Sequence, residues 1–236
     1  MKAYSMFSRM KDAAASCLVL FALLLASGKA EASGILYQFN TPFPTDASPT
    51  GAGPWLDASF QNVSPGTVNM TLTAVNFAAG EYITGGGANG GIFFNLNPSD
   101  NPTQLVFTEI ASKGSFGTVT VNKGANSFKA NGAGKFDLQV DFSGQFSAND
   151  SITYKITGIT GLTAADFSYL SQSAGACGPF YAAAEIQGIM CVNGSWIEPG
   201  GGPVITQVPE PASLSLLAAS ACLWAAWRMR PRQIKS

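Results

Sequence analysis

The sequence predicts an all-β chain: an antiparallel β-sandwich or jelly-roll ectodomain over residues 33–203, flanked by an N-terminal signal peptide at 1–32 and a C-terminal membrane helix within 204–236. Three observations carry that expectation. Apolar and polar residues alternate with period two in several short runs, clusters of Gly, Asn, Ser and Pro separate those runs, and uncharged apolar stretches lie near both ends of the chain.

At the N-terminus, Lys2, Arg9 and Lys11 supply a positive n-region and residues 13–26 an apolar h-region. Ala30-Glu31-Ala32 is an A-x-A site that places cleavage before Ser33. An uncleaved anchor is the competing reading, and the h-region is short for a comfortable span. Cys17 precedes most of the apolar run and reads as one of its small residues.

Strand signals follow in order. Val68, Met70 and Leu72 alternate with Asn69, Thr71 and Thr73, which predicts one buried and one wet face. Residues 92–96, 105–110 and 118–121 are short apolar or β-branched runs. Phe136, Leu138, Val140 and Phe142 alternate with Asp137, Gln139 and Asp141, and Ile152, Tyr154 and Ile156 with Thr153, Lys155 and Thr157. Turn clusters at 85–91, 97–102, 113–117 and 123–126 separate them. Thr163-Ala164-Ala165-Asp166 has the cap-and-acid spacing of a helix start, so 162–170 is expected to hold a single helical turn. The sequence has no short-period repeat.

Once both ends are set aside, 33–208 keeps five basic and eleven acidic residues, a net charge of about −6 that favours solubility and opposes nucleic-acid binding. Two cysteines remain there, Cys177 and Cys191. In an oxidising compartment such a pair favours a disulfide, worth about 3 kcal/mol for a loop of this size, the alternative being two free buried thiols.

The chain contains no histidine, which removes the Ser-His-Asp and Cys-His nucleophile systems and the commonest zinc ligand. No catalytic residue and no metal site is therefore assigned. Paired carboxylates stay open, since glycoside hydrolysis needs only two acids across a cleft. Asp137 and Asp141 share a strand face, while Glu81, Glu109, Glu185 and Glu198 are scattered with no spacing that marks a pair. Alternating acids on a strand are usually a solvated face. The stretch from Asn95 to Asn101 offers alternating oxygen side chains of the kind calcium takes, but lacks the glycine and distal glutamate of a calcium loop and reads as an Asx-rich turn. The glycines of 85–91 are not followed by Lys-Ser/Thr and read as a flexible turn. Among Trp55, Phe60, Phe93, Phe94, Tyr154, Phe180, Tyr181 and Trp196, most are expected in the core. Tyr181 and Trp196 stand away from clean alternation and are the candidates for ligand-facing aromatics.

The C-terminus has three elements in order. Val208-Pro209-Glu210-Pro211 is held extended by its two prolines, the uncharged run 212–227 follows, and Arg228, Arg230 and Arg232 close it with Lys235. The run would span roughly 24 Å as a helix, below the usual ~30 Å hydrocarbon core. Trp224 and Trp227 stand where an aromatic belt would, and the basic cluster directs the tail end to the cytoplasm, leaving the domain outside. A buried C-terminal helix is the competing reading, and the basic cluster argues against it.

These three elements resemble a PEP-CTERM sorting signal. The resemblance covers about the last 29 residues and implies export by a Gram-negative-type bacterium, with the Sec machinery, signal peptidase and an exosortase as processing partners. It further implies a protein at the cell surface or outside the cell that is held by the membrane transiently or stably. Gly91-Ile-Phe-Phe-Asn-Leu-Asn-Pro98, Asn126-Ser-Phe-Lys-Ala-Asn-Gly-Ala-Gly-Lys-Phe-Asp137, and Gly178-Pro-Phe-Tyr181 with Ile186-Gln-Gly188 are similar, more loosely, to a group of exported PEP-CTERM proteins. That likeness implies a β-rich ectodomain and no known activity. The resulting expectation is a noncatalytic surface or matrix protein associated with exopolysaccharide. The alternative is an exported carbohydrate-binding module or carbohydrate-active enzyme with the same tail.

Overall fold

Alternation in the sequence becomes antiparallel pairing. The computed structural model describes residues 34–206 except 86–89, 133, 176, 191 and 193. They belong to one compact unit, Ala32–Thr206; a second unit, Met1–Glu31 with Gln207–Ser236, lies outside the described residues. In chain order the strands are β1 Gly34–Pro42, β2 Leu56–Ser64, β3 Thr67–Ala74, β4 Tyr82–Ile83, β5 Ile92–Phe94, β6 Val106–Lys113, β7 Val119–Lys129, β8 Lys135–Phe142, β9 Phe146–Ser147, β10 Ser151–Thr157, β11 Ala182–Ile186, β12 Ser195–Pro199 and β13 Val204–Thr206.

Eleven of them form one sheet in the order β6-β10-β3-β2-β1-β12-β11-β5-β8-β7, with β13 added beside β1; β4 and β9 form a small second sheet. The antiparallel all-β class is as expected, but the two packed sheets of a sandwich are replaced by one sheet rolled around its own core. Residues from both end strands show the closure. Phe107 of β6 and Val119 and Val121 of β7 pack on the same cluster as Tyr37, Phe60, Phe94 and Phe142. Lys123 Nζ of β7 donates to the Leu105 carbonyl, one residue before β6, at 2.6 Å. The roll is nearly a barrel, and the outer edges of β6 and β7 border a seam. Fully buried phenylalanines and Tyr37 fill the interior, as a small barrel requires.

The alternations at β3 and β10 bury Val68, Met70 and Leu72, and Ile152, Tyr154 and Ile156, as read from the sequence. β8 departs from expectation. Asp137 and Gln139 are buried rather than wet, because a second cluster covers this part of the outer face: Phe43, Phe93, Ala130, Phe136, Ala183 and Trp196, with Phe128 and Phe180 at its margin. Residues 123–126 were expected as a turn. They lie inside β7 as a register shift between Lys123 and Phe128, with Asn126 at φ 49° absorbing the extra length. The run 105–110 forms a strand, but β6 is an end strand and is largely exposed. The expected helical turn is a 3-10 turn at Ala164–Phe167, where Thr163 N and Oγ1 donate to Asp166 Oδ2 at 2.8 and 2.9 Å.

The expected Cys177–Cys191 bridge is corrected. Cys177 is free, and its N–H donates to Gly132 in the β7–β8 turn, past the end of β11 where Ala182 pairs with Phe94. Cys191 itself lies outside the described residues.

Candidate functional site

The aromatic patch on the outer face of β11 and β12 is where the sequence placed its ligand-facing candidates. Trp196 is directed to that face by its register opposite Glu185. The β1–β2 loop then folds over it. Phe43 N–H donates to the Trp196 carbonyl at 2.9 Å, Trp196 N–H to Asp46 Oδ2 at 2.8 Å, and Ser195 Oγ to the Ala47 carbonyl. The indole stacks on Phe43 at 5.9 Å between ring centroids and meets Phe93 at 5.5 Å, while Phe43 meets Phe180 at 4.9 Å. Trp196 is 4% exposed. It is a core residue of the second cluster and not a ligand-facing one, because the loop supplies the ring that a sugar would otherwise have to supply. Tyr181 is half-buried against the main core, with its ring edge near Gly202.

The structure assembles something the spacing did not show. Glu185 of β11 and Glu198 of β12 lie on adjacent antiparallel strands and the same outer face, Glu185 opposite Trp196 and Glu198 two residues further on. Such diagonal neighbours are about 7–8 Å apart between Cα atoms. Burial holds the Glu198 carboxyl up at about 7. Burial also raises Glu185, with the Asp46 charge adding to the rise and a hydrogen bond from Gln187 opposing it. Only a pairing map could have found this couple, since thirteen residues separate the two glutamates in sequence. Glu198, held up at about 7, can take up and release a proton near neutral pH. The surface between the two glutamates is occupied by the buried Trp196.

That arrangement sets a pH dependence. Because the folded chain holds the Glu198 proton more tightly than an unfolded glutamate near 4.5, the protonated carboxyl contributes its full stability below about pH 4.5. The contribution is lost as the pH rises through about 7. With solvent screening at a half-exposed carboxyl, the loss is about 1 kcal/mol. Melting temperature should therefore fall between pH 5 and pH 8, and Glu198→Gln should flatten part of that fall. An equal slope in the variant would show that other carboxyls set it.

Asp137 and Asp141 do not form a catalytic pair. Asp137 accepts from Leu96 N–H at 2.9 Å and Asn126 N–H at 2.7 Å. Asp141 accepts from Asn122 Nδ2 at 2.7 Å, and burial raises its carboxyl against the opposing hydrogen bonds of Asn122 and Gln139. Beside it Gly91 has φ +102° and its Cβ position lies 2.4 Å from the Val140 carbonyl, so no side chain fits there. Glu81 is buried and caps Thr50 and Ala78 N–H groups at 2.7 and 2.9 Å. Glu109 is exposed on β6.

In the calcium candidate stretch, Asn97 Oδ1 accepts from Ser99 N and Oγ, and Asn97 Nδ2 donates to Asp166. Asn101 Oδ1 accepts from Thr103 N and Oγ1. These are Asx turns, and among the described residues no group of three acidic, His or Cys side chains converges as metal ligands would.

Val208, Pro209, Glu210, Pro211, Arg228, Arg230 and Arg232, and the cleavage residues Ala30, Ala32 and Ser33, lie outside the described residues. So does the expected membrane segment 212–227; among the described residues no helix is long and apolar enough to cross a membrane. The geometry thus defines a rolled antiparallel β-domain with a loop-covered aromatic cluster. No protein-family model, curated protein or solved structure matches the chain.

Proposed function

We propose that this chain is an exported, noncatalytic surface or extracellular-matrix protein. The Sec machinery and signal peptidase deliver its β-domain, and an exosortase sorts it through the C-terminal signal to act in association with exopolysaccharide. The observation that carries the reading is the tail: Val208-Pro209-Glu210-Pro211, the apolar run 212–227 and Arg228, Arg230 and Arg232, in that order. The compact unit, Ala32–Thr206, supports it in ending before Val208, although its last strand, β13 Val204–Thr206, takes three residues that the sequence assigns to the tail. The test is the intact mass of protein recovered from membrane and secreted pools of its own cells. A C-terminus near Val208 to Pro211 supports sorting by cleavage, and a C-terminus at Ser236 in the membrane pool would make the tail a plain anchor.

The second reading, a carbohydrate-active domain with the same tail, is favoured by the Glu185 and Glu198 couple. Polysaccharide turnover lost in both Glu185→Gln and Glu198→Gln would establish it.

A further inference from the structure

We propose that the seam face of the roll binds an acidic polysaccharide, a linear polymer carrying repeated carboxylate or sulfate groups. This rests on the exopolysaccharide reading and names the chemistry of the polymer.

Residues 34–206 contain five lysines and no arginine. All five fall on the two outermost strands at each end of the rolled sheet, beside the seam: Lys113 on β6, Lys155 on β10, Lys123 and Lys129 on β7, and Lys135 on β8. The other strands of the rolled sheet carry no basic residue and present Asp57, Glu185 and Glu198. The seam strands carry three acids, and Asp137 is spent on two backbone amides while Asp141 accepts from Asn122, which leaves Glu109 as the exposed one. A domain of net negative charge has therefore collected its cations on the strands at the seam.

The cations form a line. Lys113 pairs with Ser151 at one end of β6, Lys155 pairs with Thr108 nearer its middle, and Lys129 pairs with Lys135 at the opposite end, while Lys123, whose Nζ donates to the Leu105 carbonyl, is used in closing the seam. The eleven residues of β7 give that line a length of roughly 35 Å. Lys129 and Lys135 are directly opposed, a like-charge cross-strand pair that weakens a sheet unless an anion lies between them. A row of point charges with no arginine fork suits carboxylates or sulfates spaced along an extended chain. The line runs along the wall of the roll and not across one pole, so it fits a strand-like polymer better than a lipid plane. The aromatics of these strands pack against the two hydrophobic clusters, so the region offers no stacking platform for nucleobases.

The test is binding of the full-length protein to alginate, with neutral dextran, anionic phosphatidylglycerol vesicles and single-stranded DNA as comparisons. Alginate should bind best and weaken as salt is raised. Lys129→Gln with Lys135→Gln should weaken it about tenfold, with melting temperature unchanged or raised because the opposed charges are gone. Lys113→Gln with Lys155→Gln gives an independent second variant. Alginate binding unchanged in these variants overturns the proposal, as does tighter binding to vesicles or DNA. Equal binding to dextran overturns the proposal but leaves the exopolysaccharide reading standing. No binding to any probe also overturns it, and capture of the protein on polymer from its own cells then judges the exopolysaccharide reading separately.

Discussion

Trp196→Ala should lower the unfolding free energy by about 3–5 kcal/mol. The side chain is buried between Phe43 and Phe93, and its removal leaves a cavity under a loop that cannot collapse freely. The β1–β2 loop holds the indole through its own backbone, with Phe43 N–H on the Trp196 carbonyl and Asp46 on the Trp196 N–H. Alanine keeps those backbone bonds but loses the stacked rings, so the loss is one of packing. For a domain of this size the melting temperature falls by about 10 °C or more. Thermal and urea unfolding measure it. A variant that melts with the wild type yet loses polysaccharide binding would restore Trp196 as a ligand contact.

Asp137→Ala should cost about 3 kcal/mol. One carboxylate closes two distant backbone donors, Leu96 just past β5 and Asn126 in the bulge of β7, and alanine leaves both amides without that acceptor in a place that water does not reach freely. Asp137→Asn keeps one acceptor oxygen and should lose about half as much. Urea midpoints at unchanged slope are the readout. If alanine were tolerated within 0.5 kcal/mol, as an ordinary surface change is, the bulge would not depend on this carboxylate.

Asp137 also shows where the sequence is legible and where it is not. Period two correctly turned the run from Phe136 to Phe142 into a strand that buries Leu138, Val140 and Phe142 in the main core, while Phe136 joins the second cluster. It could not show that a loop fifty or more residues away covers the other face, because a pattern along one strand says nothing about what lands on it. The same limit misplaced Trp196. The 3-10 turn was readable because Thr163 and Asp166 settle it locally. The bulge at Asn126 was misread as a turn because Gly and Asn accept positive φ in both settings. Glu185 and Glu198 became neighbours only through the register of β11 and β12, a nonlocal fact. The choice between two stacked sheets and one roll was likewise open, since both bury alternate residues and differ only in strand order.

β1 is the first strand made, yet its first three residues pair with the last three of the domain, Gly34 with Thr206 and Leu36 with Val204. This closure spans almost the entire unit, so loop-closure entropy places it among the slow steps of folding. A chain emerging N-terminus first cannot complete its sheet until its final strand is out. The same pairing puts head and foot of the domain side by side, so a short linker from 206 to 34 with new ends opened in an exposed turn would yield a circular permutant with the same core.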